Sequence, residues 1–488
     1  NAVMEAVNTA AAVVGPTTPV NQQAFLYAAL CAERNGKYSL MLWAASSLAK
    51  ANPETLKLAI IPRALMYLKH PDKSLAALQA IDKVYPDEPG VLFAAMLLAN
   101  DQGAWDQLLH LADKTVARLV KSPFRGVAWQ AEALRARALL TTAQWKKVDR
   151  SIKAAAKLGA PPAALQAIAK KLIPVRQTRV YVDPDVPDKL YLGTYHLYGK
   201  SDLVPDAFTI AIANLTGADQ SMKVEIEIPG VTDRTTRTVN VLRDGHEKVS
   251  LTPPLAASFQ PAGQQAERNA QIALRVTLSD GKVVYDESLP VRLYPRDQLP
   301  MRDSTFIPAW ITPQAPAVEA LLTAAKKRAP GGSLPGNRAP TVPQMKALYD
   351  ELKARGMSYV LVTNFGLDDA QHTRLPSDTI ASTNALCLDG TVLFATLAEK
   401  LGLQPVLVRI PGHIFFGWRA EAADQAAAGT IYFLETTMVG SASFEQALAT
   451  GRREFEEQQK LHAFDSGQSV TVDVLELRKA GITPQPWG

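Results

Sequence analysis

The hydrophobic period changes twice along this chain, and that constrains its fold more than any other feature. Up to about residue 173, apolar residues recur at helical spacing. From Ile173-Pro174 onward they alternate in twos, and from about Pro300 the two patterns mix. A helix buries a stripe and a strand buries every second side chain, so one layer cannot serve all three textures. The sequence therefore predicts three domains: an all-α helical-repeat domain over 1–173, a β-sandwich over 174–299 and an α+β domain over 300–488. Each block has an ordinary domain size.

In the first block, short breaks at Asn35-Gly36, Asn52-Pro53 and Pro86-Asp87-Glu88-Pro89 separate eight or nine expected helices. An aromatic follows a turn in Asn35-Gly36-Lys37-Tyr38, Gln102-Gly103-Ala104-Trp105 and Thr142-Ala143-Gln144-Trp145. These are spaced by roughly two repeats and one repeat of a 34-residue period, with a turn expected at Pro71-Asp72-Lys73. The pattern resembles a degenerate tetratricopeptide-type array, whose helix pairs must stack to bury their apolar faces. Gly159-Ala160-Pro161-Pro162 breaks the array, and a last short helix is expected to end at Lys171.

In the second block, Lys223-Val224-Glu225-Ile226-Glu227-Ile228 alternates charged and β-branched residues, as a half-buried strand does. Phe208, Ile210 and Ile212 alternate likewise, and so do Ile272, Leu274, Val276 and Leu278. Asp280-Gly281 is a hairpin turn. About seven short strands predict an immunoglobulin-like sandwich, without the paired cysteines of antibody domains. The third block opens with a Gly/Pro-rich loop over Ala329–Pro343. A helix is expected over Pro343–Arg355, then a strand over Ser358–Val362. A second helix should run from Cys387 to Leu401, followed by strands at Pro405–Arg409, His413–Arg419 and Thr430–Glu435, with a loop over Ala420–Gly429.

Composition removes several function classes. The 52 basic and 47 acidic residues give a net charge of +5, and they are interspersed, so no nucleic-acid partner is expected. No unbroken apolar run is longer than Val91 to Ala99, which falls far short of the ~20 residues a membrane span needs. Cys31 and Cys387 are the two cysteines, which excludes a disulfide framework. His70, His110, His196, His246 and His462 show no metal-ligand spacing, so neither metal nor cofactor is expected. The chain starts at Asn1, so either an upstream segment is expected to have been removed or the sequence is a piece of a longer one, and the compartment stays open between cytoplasm and periplasm.

Chemistry concentrates in the third block. Cys387 precedes the helical run Val392, Leu393, Leu397 and Leu401, placing it in a helix first turn. Unpaired amides and the helix dipole favour a thiolate there. His413 opens a strand after Pro411-Gly412, and Glu435 closes another before Thr436-Thr437. If those strands are antiparallel neighbours, nucleophile, base and orienting carboxylate converge. Asp389 reads as a helix-start residue, Cys31 as packing, and Phe415, Phe416 and Trp418 as core rather than cleft.

Four ordered blocks carry a resemblance: Cys387-Leu388-Asp389-Gly390, Glu399-Lys400-Leu401-Gly402-Leu403, Pro411-Gly412-His413 and Glu435-Thr436-Thr437. Together they resemble the core of the transglutaminase-like superfamily, in a bacterial branch with a Cys-Leu-Asp, Gly-Leu-x-Pro, Gly-His-x-Phe, Glu-(Thr/Pro)-Thr pattern. The stretch Gln371-His372-Thr373-Arg374-Leu375-Pro376-Ser377 is similar to the segment this branch carries before its cysteine. The likeness covers roughly residues 340–450. It implies a papain-like fold with Cys387 as nucleophile, His413 as base and Glu435 as third member, where the superfamily more commonly has aspartate. Gln371 is a candidate oxyanion donor beside the Cys387 amide. The implied activity is that of a thiol enzyme on amide bonds of proteins or peptides: protease, deamidase or amine transferase. The helical repeat would hold a protein partner. The alternative is an inactive transglutaminase-like scaffold for protein–protein interaction.

Overall fold

The computed structural model describes residues 19–35, 38–68, 71–263, 266–300, 304–360, 370–419, 429–464 and 469–486. Four expectations fall at least partly outside them: the Gly36-Lys37 turn, His70, strand positions Leu361-Val362, and the loop from 420 to 428. The chain groups into two compact units. The first takes the described residues through Asp188, with Asp206–Phe259 and Ala270–Val291; the second takes Lys189–Pro205, Gln260–Asn269 and Arg292 onward.

The first unit begins with nine α-helices among the described residues: α1 (Pro19–Arg34), α2 (Tyr38–Ala51), α3 (Ile60–Tyr67), α4 (Pro71–Val84), α5 (Pro89–Asp101), α6 (Trp105–Val120), α7 (Ala128–Thr141), α8 (Val148–Lys157) and α9 (Pro162–Thr178). Successive helices pack on each other through apolar residues, as with Phe93, Met96, Leu108, Ala112 and Ala131 of α5 to α7. Three expectations need correction. Pro71-Asp72-Lys73 is the first turn of α4 and not a turn between helices, because proline is at ease where no amide partner exists. The last helix runs past Pro174 to Thr178, since burial of Leu172 and Val175 outweighs the amide hydrogen bond lost at proline. Cys31 is exposed. Phe25, Ala28, Ala29 and Ala32 form the buried stripe of α1, and position 31 lies off that stripe.

The strands of this unit follow the alternation. β1 (Val180–Asp185) and β2 (Lys189–Tyr191) precede β3 (Phe208–Asn214), β4 (Gln220–Glu227), β5 (Thr235–Val241), β6 (His246–Leu251), β7 (Arg268–Leu278) and β8 (Val283–Tyr294). β1, β3 and β6 form one antiparallel sheet; β4 pairs antiparallel with β5 and β7 in another. Met222, Val224 and Ile226 of β4 are buried, as are Ile272, Leu274, Val276 and Leu278 of β7, and the charged neighbours between them face out. Gly281 takes φ +85°, the left-handed conformation the hairpin turn requires. β2 and the last residues of β8 belong to the second unit, where Leu190 pairs in parallel with Leu293.

One buried carboxylate anchors α7 and α9 to β1. Asp183 takes a hydrogen bond of 2.7 Å from Arg137 and another of 2.7 Å from Lys171. Burial opposes its charge, but the two cations win and hold its pKa below the ordinary 3.8.

The second unit mixes helices with short sheets. It adds β9 (Gln298–Pro300), α10 (Pro316–Ala325), α11 (Thr341–Ala354), β10 (Ser358–Tyr359), β11 (Ala370–His372), α12 (Pro376–Ser382), β12 (Asn384–Ala385), α13 (Cys387–Lys400), β13 (Pro405–Ile410), β14 (His413–Arg419), β15 (Ile431–Leu434), α14 (Phe444–Lys460), β16 (Val470–Asp473) and α15 (Val474–Lys479). Its main sheet is antiparallel with order β15-β14-β13-β16. α13 packs on β14, and Leu393, Phe394, Leu397, Phe416 and Trp418 share the core with Tyr349 of α11. The loop before α11 is pinned rather than loose. Gln344 is buried, accepts from the Gly336 amide at 2.8 Å and donates back to the Gly336 carbonyl at 2.8 Å.

Candidate functional site

Each candidate residue sits where local chain chemistry puts it. Cys387 is the first residue of α13, 5% exposed. Asp389, in the same turn, is fully buried, and its carboxylate accepts from the Leu386 amide at 3.1 Å and the Arg374 amide at 2.8 Å. It therefore caps the helix start and ties the 370–374 segment to it, which is the helix-start role expected of it. Burial raises its pKa against the pull of those amides and the Arg374 guanidinium.

Pro411-Gly412 turns β13 into β14, with Gly412 at φ +76°, and His413 opens β14 opposite Ile410. β14 and β15 are antiparallel, with Phe416 facing Leu434 across the ladder. The start of one strand and the end of the other therefore meet, and Glu435 follows β15 directly. It is 3% exposed. Its Oε1 accepts from the Thr437 amide at 2.9 Å and the Thr437 hydroxyl at 2.5 Å. Its Oε2 lies 2.7 Å from His413 Nε2. With Nε2 spent on Glu435, Nδ1 is the ring nitrogen left for a thiol.

Two contacts bring the Cys387 turn to this pair. The Thr391 hydroxyl bridges the Cys387 carbonyl at 2.7 Å and the Ile414 carbonyl at 3.2 Å. Gly390 lies so close to Thr436 that an added Cβ would stand 3.0 Å from its hydroxyl oxygen. Burial works against charge on His413. Hydrogen bonding to Cys387 and Glu435, and attraction to both, overcome it and raise its pKa from 6.5 to about 10. Glu435 responds oppositely: burial disfavours its charge, but the imidazole and Thr437 hold its pKa below the ordinary 4.5.

Gln371 lies on β11, buried opposite Leu299, and its amide donates to the His372 carbonyl at 3.3 Å. Phe415, Phe416 and Trp418 are wholly buried and form core, as expected. Three nearby residues were not singled out in the sequence. Tyr359 is close enough to Cys387 and Glu435 that their charges, after burial, raise its pKa. Arg374 pairs with Asp389 at 3.6 Å. Glu454 of α14 places Oε2 3.9 Å from His413 Nε2. Ala447, Gly451 and Glu454 share one helical face, which the spacing alone shows, but that the first two lie against Glu435 comes only from the fold.

The ligand-type atoms of His413, Glu435 and Glu454 fall within 4.8 Å of one another. The 2.7 Å Nε2–Oε2 contact pairs the imidazole with Glu435, and Glu454 stands beside that pair. The chain matches no protein-family model, no curated protein and no solved structure. Among the described residues, no helix is long and apolar enough to cross a membrane. What the site can do must therefore be argued from its own geometry. A thiol at a helix start, an imidazole with one nitrogen held by a buried carboxylate, and backbone amides beside the thiol are the parts needed for acyl transfer.

Proposed function

We propose that this chain is a transglutaminase-like thiol enzyme acting on amide bonds of proteins or peptides. What supports the reading is His413 with Nε2 held at 2.7 Å by the buried Glu435, and Cys387 at the first turn of α13, near enough to the ring to raise its pKa. Cys387 sulfur attacks the amide carbonyl carbon and a C–S bond forms. The oxyanion is met by the Cys387 amide, with Gln371 the candidate second donor. The imidazolium gives its Nδ1 proton to the leaving nitrogen, the C–N bond breaks, and a thioester remains. Water gives one proton to the imidazole as its oxygen bonds the thioester carbon, the C–S bond breaks, the Cys387 thiolate leaves and an acid is released; an amine in its place gives a new amide.

The same reading extends to the rest of the chain. The α1–α9 array is tetratricopeptide-like, the two sheets that follow form an immunoglobulin-like sandwich, and the array offers a surface for a protein partner. Domain limits near residues 174 and 300 go with it.

The test is to mix the full chain with a glutamine-containing peptide, quench in acid and digest for mass spectrometry. An acyl adduct on the Cys387 peptide, labile to hydroxylamine and absent in Cys387→Ser and His413→Ala, is the expected result. No adduct with any peptide, ester or amine tried would leave the scaffold reading in its place.

A further inference from the structure

Glu454 has no part in the mechanism above, yet it stands on the same side of the imidazole as Glu435. Three observations fix it there. Ala447, Gly451 and Glu454 lie on one face of α14. The Ala447 carbonyl accepts the Glu435 amide at 3.1 Å. At Gly451 an added Cβ would meet the Leu434 and Glu435 amide nitrogens at 2.8 and 3.0 Å, so only glycine lets the helix lie this close to β15. One turn further on, Glu454 Oε2 is buried without a hydrogen-bond partner and faces His413 Nε2 at 3.9 Å. A lone carboxylate oxygen buried beside a second carboxylate is costly unless one of them carries a proton.

We propose that Glu454 is a positioning residue for His413. Its carboxyl shares a proton with Glu435 at rest, and its ionisation puts a second negative charge on the Glu435 side of the ring. That charge fixes the imidazole in the protonated form and orientation that face Cys387. The proposal rests on the thiol-enzyme reading for its purpose, though the juxtaposition stands without it.

The groups facing Glu454, among the described residues, are His413 from β14, Glu435 from the end of β15 and Arg453 from its own helix; Tyr349, Tyr359 and Cys387 bear on it through Glu435 and His413. Burial first, then the Glu435 charge, push its pKa up from 4.5 to about 7, against the pull of His413 and Arg453. Below that pH the two carboxyls carry one negative charge against one imidazolium. Above it they carry two, and the imidazolium holds its proton more tightly. Reactions that need only the thiolate–imidazolium pair should speed up through this range. Steps limited by proton delivery to a leaving amine should not.

The experiment titrates the full-length chain with ring-labelled histidine by NMR, using His413→Gln to assign the signals. In the wild-type chain the His413 ring should respond twice, first near pH 7 as Glu454 ionises and again near 10 as it loses its own proton. In Glu454→Gln the first response should vanish and the second midpoint should fall by roughly half a unit or more. Glu454→Asp should restore a response near neutrality. A single His413 step in the wild-type chain, or a Gln variant with the wild-type curve, overturns the proposal. The wild-type curve decides even if the Gln variant fails to fold. The first response can also be read in Cys387→Ser, where the second midpoint falls because the thiol no longer helps to raise it, so loss of thiol chemistry would refute the enzyme reading without touching the Glu454 response, and the reverse holds too.

Discussion

Two buried ionic clusters use the same ingredients in opposite proportion. In the first unit, one carboxylate, Asp183, faces two permanent cations, Arg137 and Lys171. In the second, one titratable cation, His413, faces two carboxylates, Glu435 and Glu454. The first cluster has more cation than carboxylate, and the cations hold the Asp183 pKa below its ordinary value. The second has more acceptor than cation, so protons must be shared, and Cys387 is near enough to the ring to help raise its pKa. Surplus cation makes a rivet. Surplus carboxylate around an imidazole makes a group poised to move protons.

The largest expected effect would break this comparison on the structural side. Asp183→Ala leaves Arg137 and Lys171 without their shared partner at the α7–α9–β1 junction. The first unit should lose about 3–5 kcal/mol, read from its urea midpoint. Cys387 alkylation below that transition should be unchanged. A loss under about 1 kcal/mol would mean the cluster is ornamental.

Asp389→Ala comes next. It removes the acceptor of the Leu386 amide at the start of α13 and of the Arg374 amide in the segment tied to it, worth about 2–4 kcal/mol together. Because those amides frame the Cys387 turn, the variant should also slow alkylation of Cys387. Lost stability with wild-type reactivity would show that the turn does not need its cap.

The pH dependences should differ in sign. The Asp183 pKa is depressed on folding, so its stabilisation is full above the ordinary 3.8 and fades as pH falls through the lower folded value. The His413 pKa is raised, so its stabilisation is full below 6.5 and is lost as pH climbs through about 10. Glu454 is raised as well, and what its neutral form contributes is full below 4.5 and lost as pH rises through about 7. Both units should therefore loosen in acid, since Glu435 is held low as well, while the loss as pH climbs toward 10 should be reported by probes in the second. Identical profiles for both would erase the distinction. The smallest expected effect is that of a chelator: with Glu435 holding the imidazole proton, EDTA should leave Cys387 reactivity within about twofold, and a larger loss would point to a cation among these groups.

How much of this the sequence discloses depends on whether a feature is local. The start of α13 at Cys387, the hairpin at Asp280-Gly281 and the buried alternation of β4 and β7 each depend on neighbours in the chain, and the sequence specifies them. His413 and Glu435 were legible because ordered motifs flank them. The exposed face of Cys31 could have been read from the Phe25-Ala28-Ala29-Ala32 stripe, but composition pointed inward. The helix through Pro174 was hidden because tertiary burial, not local propensity, sustains it. The Asp183 partners and the approach of Glu454 to His413 arise from distant segments, and their charges alone do not announce whom they will meet.

The account turns on Cys387 being an activated thiol, and Cys31 supplies the comparison within the same molecule. Cys31 is exposed on α1, whereas Cys387 is only 5% exposed. Exposure alone would make Cys31 the faster to react. Iodoacetamide at neutral pH, with both cysteine peptides quantified by mass spectrometry over time, reads the two rates together. The account predicts that Cys387 reacts faster than Cys31 by about tenfold or more, and that His413→Ala reverses the order while leaving Cys31 unchanged. Faster labelling of Cys31 in the wild-type chain, with no response of Cys387 to His413→Ala, would contradict it.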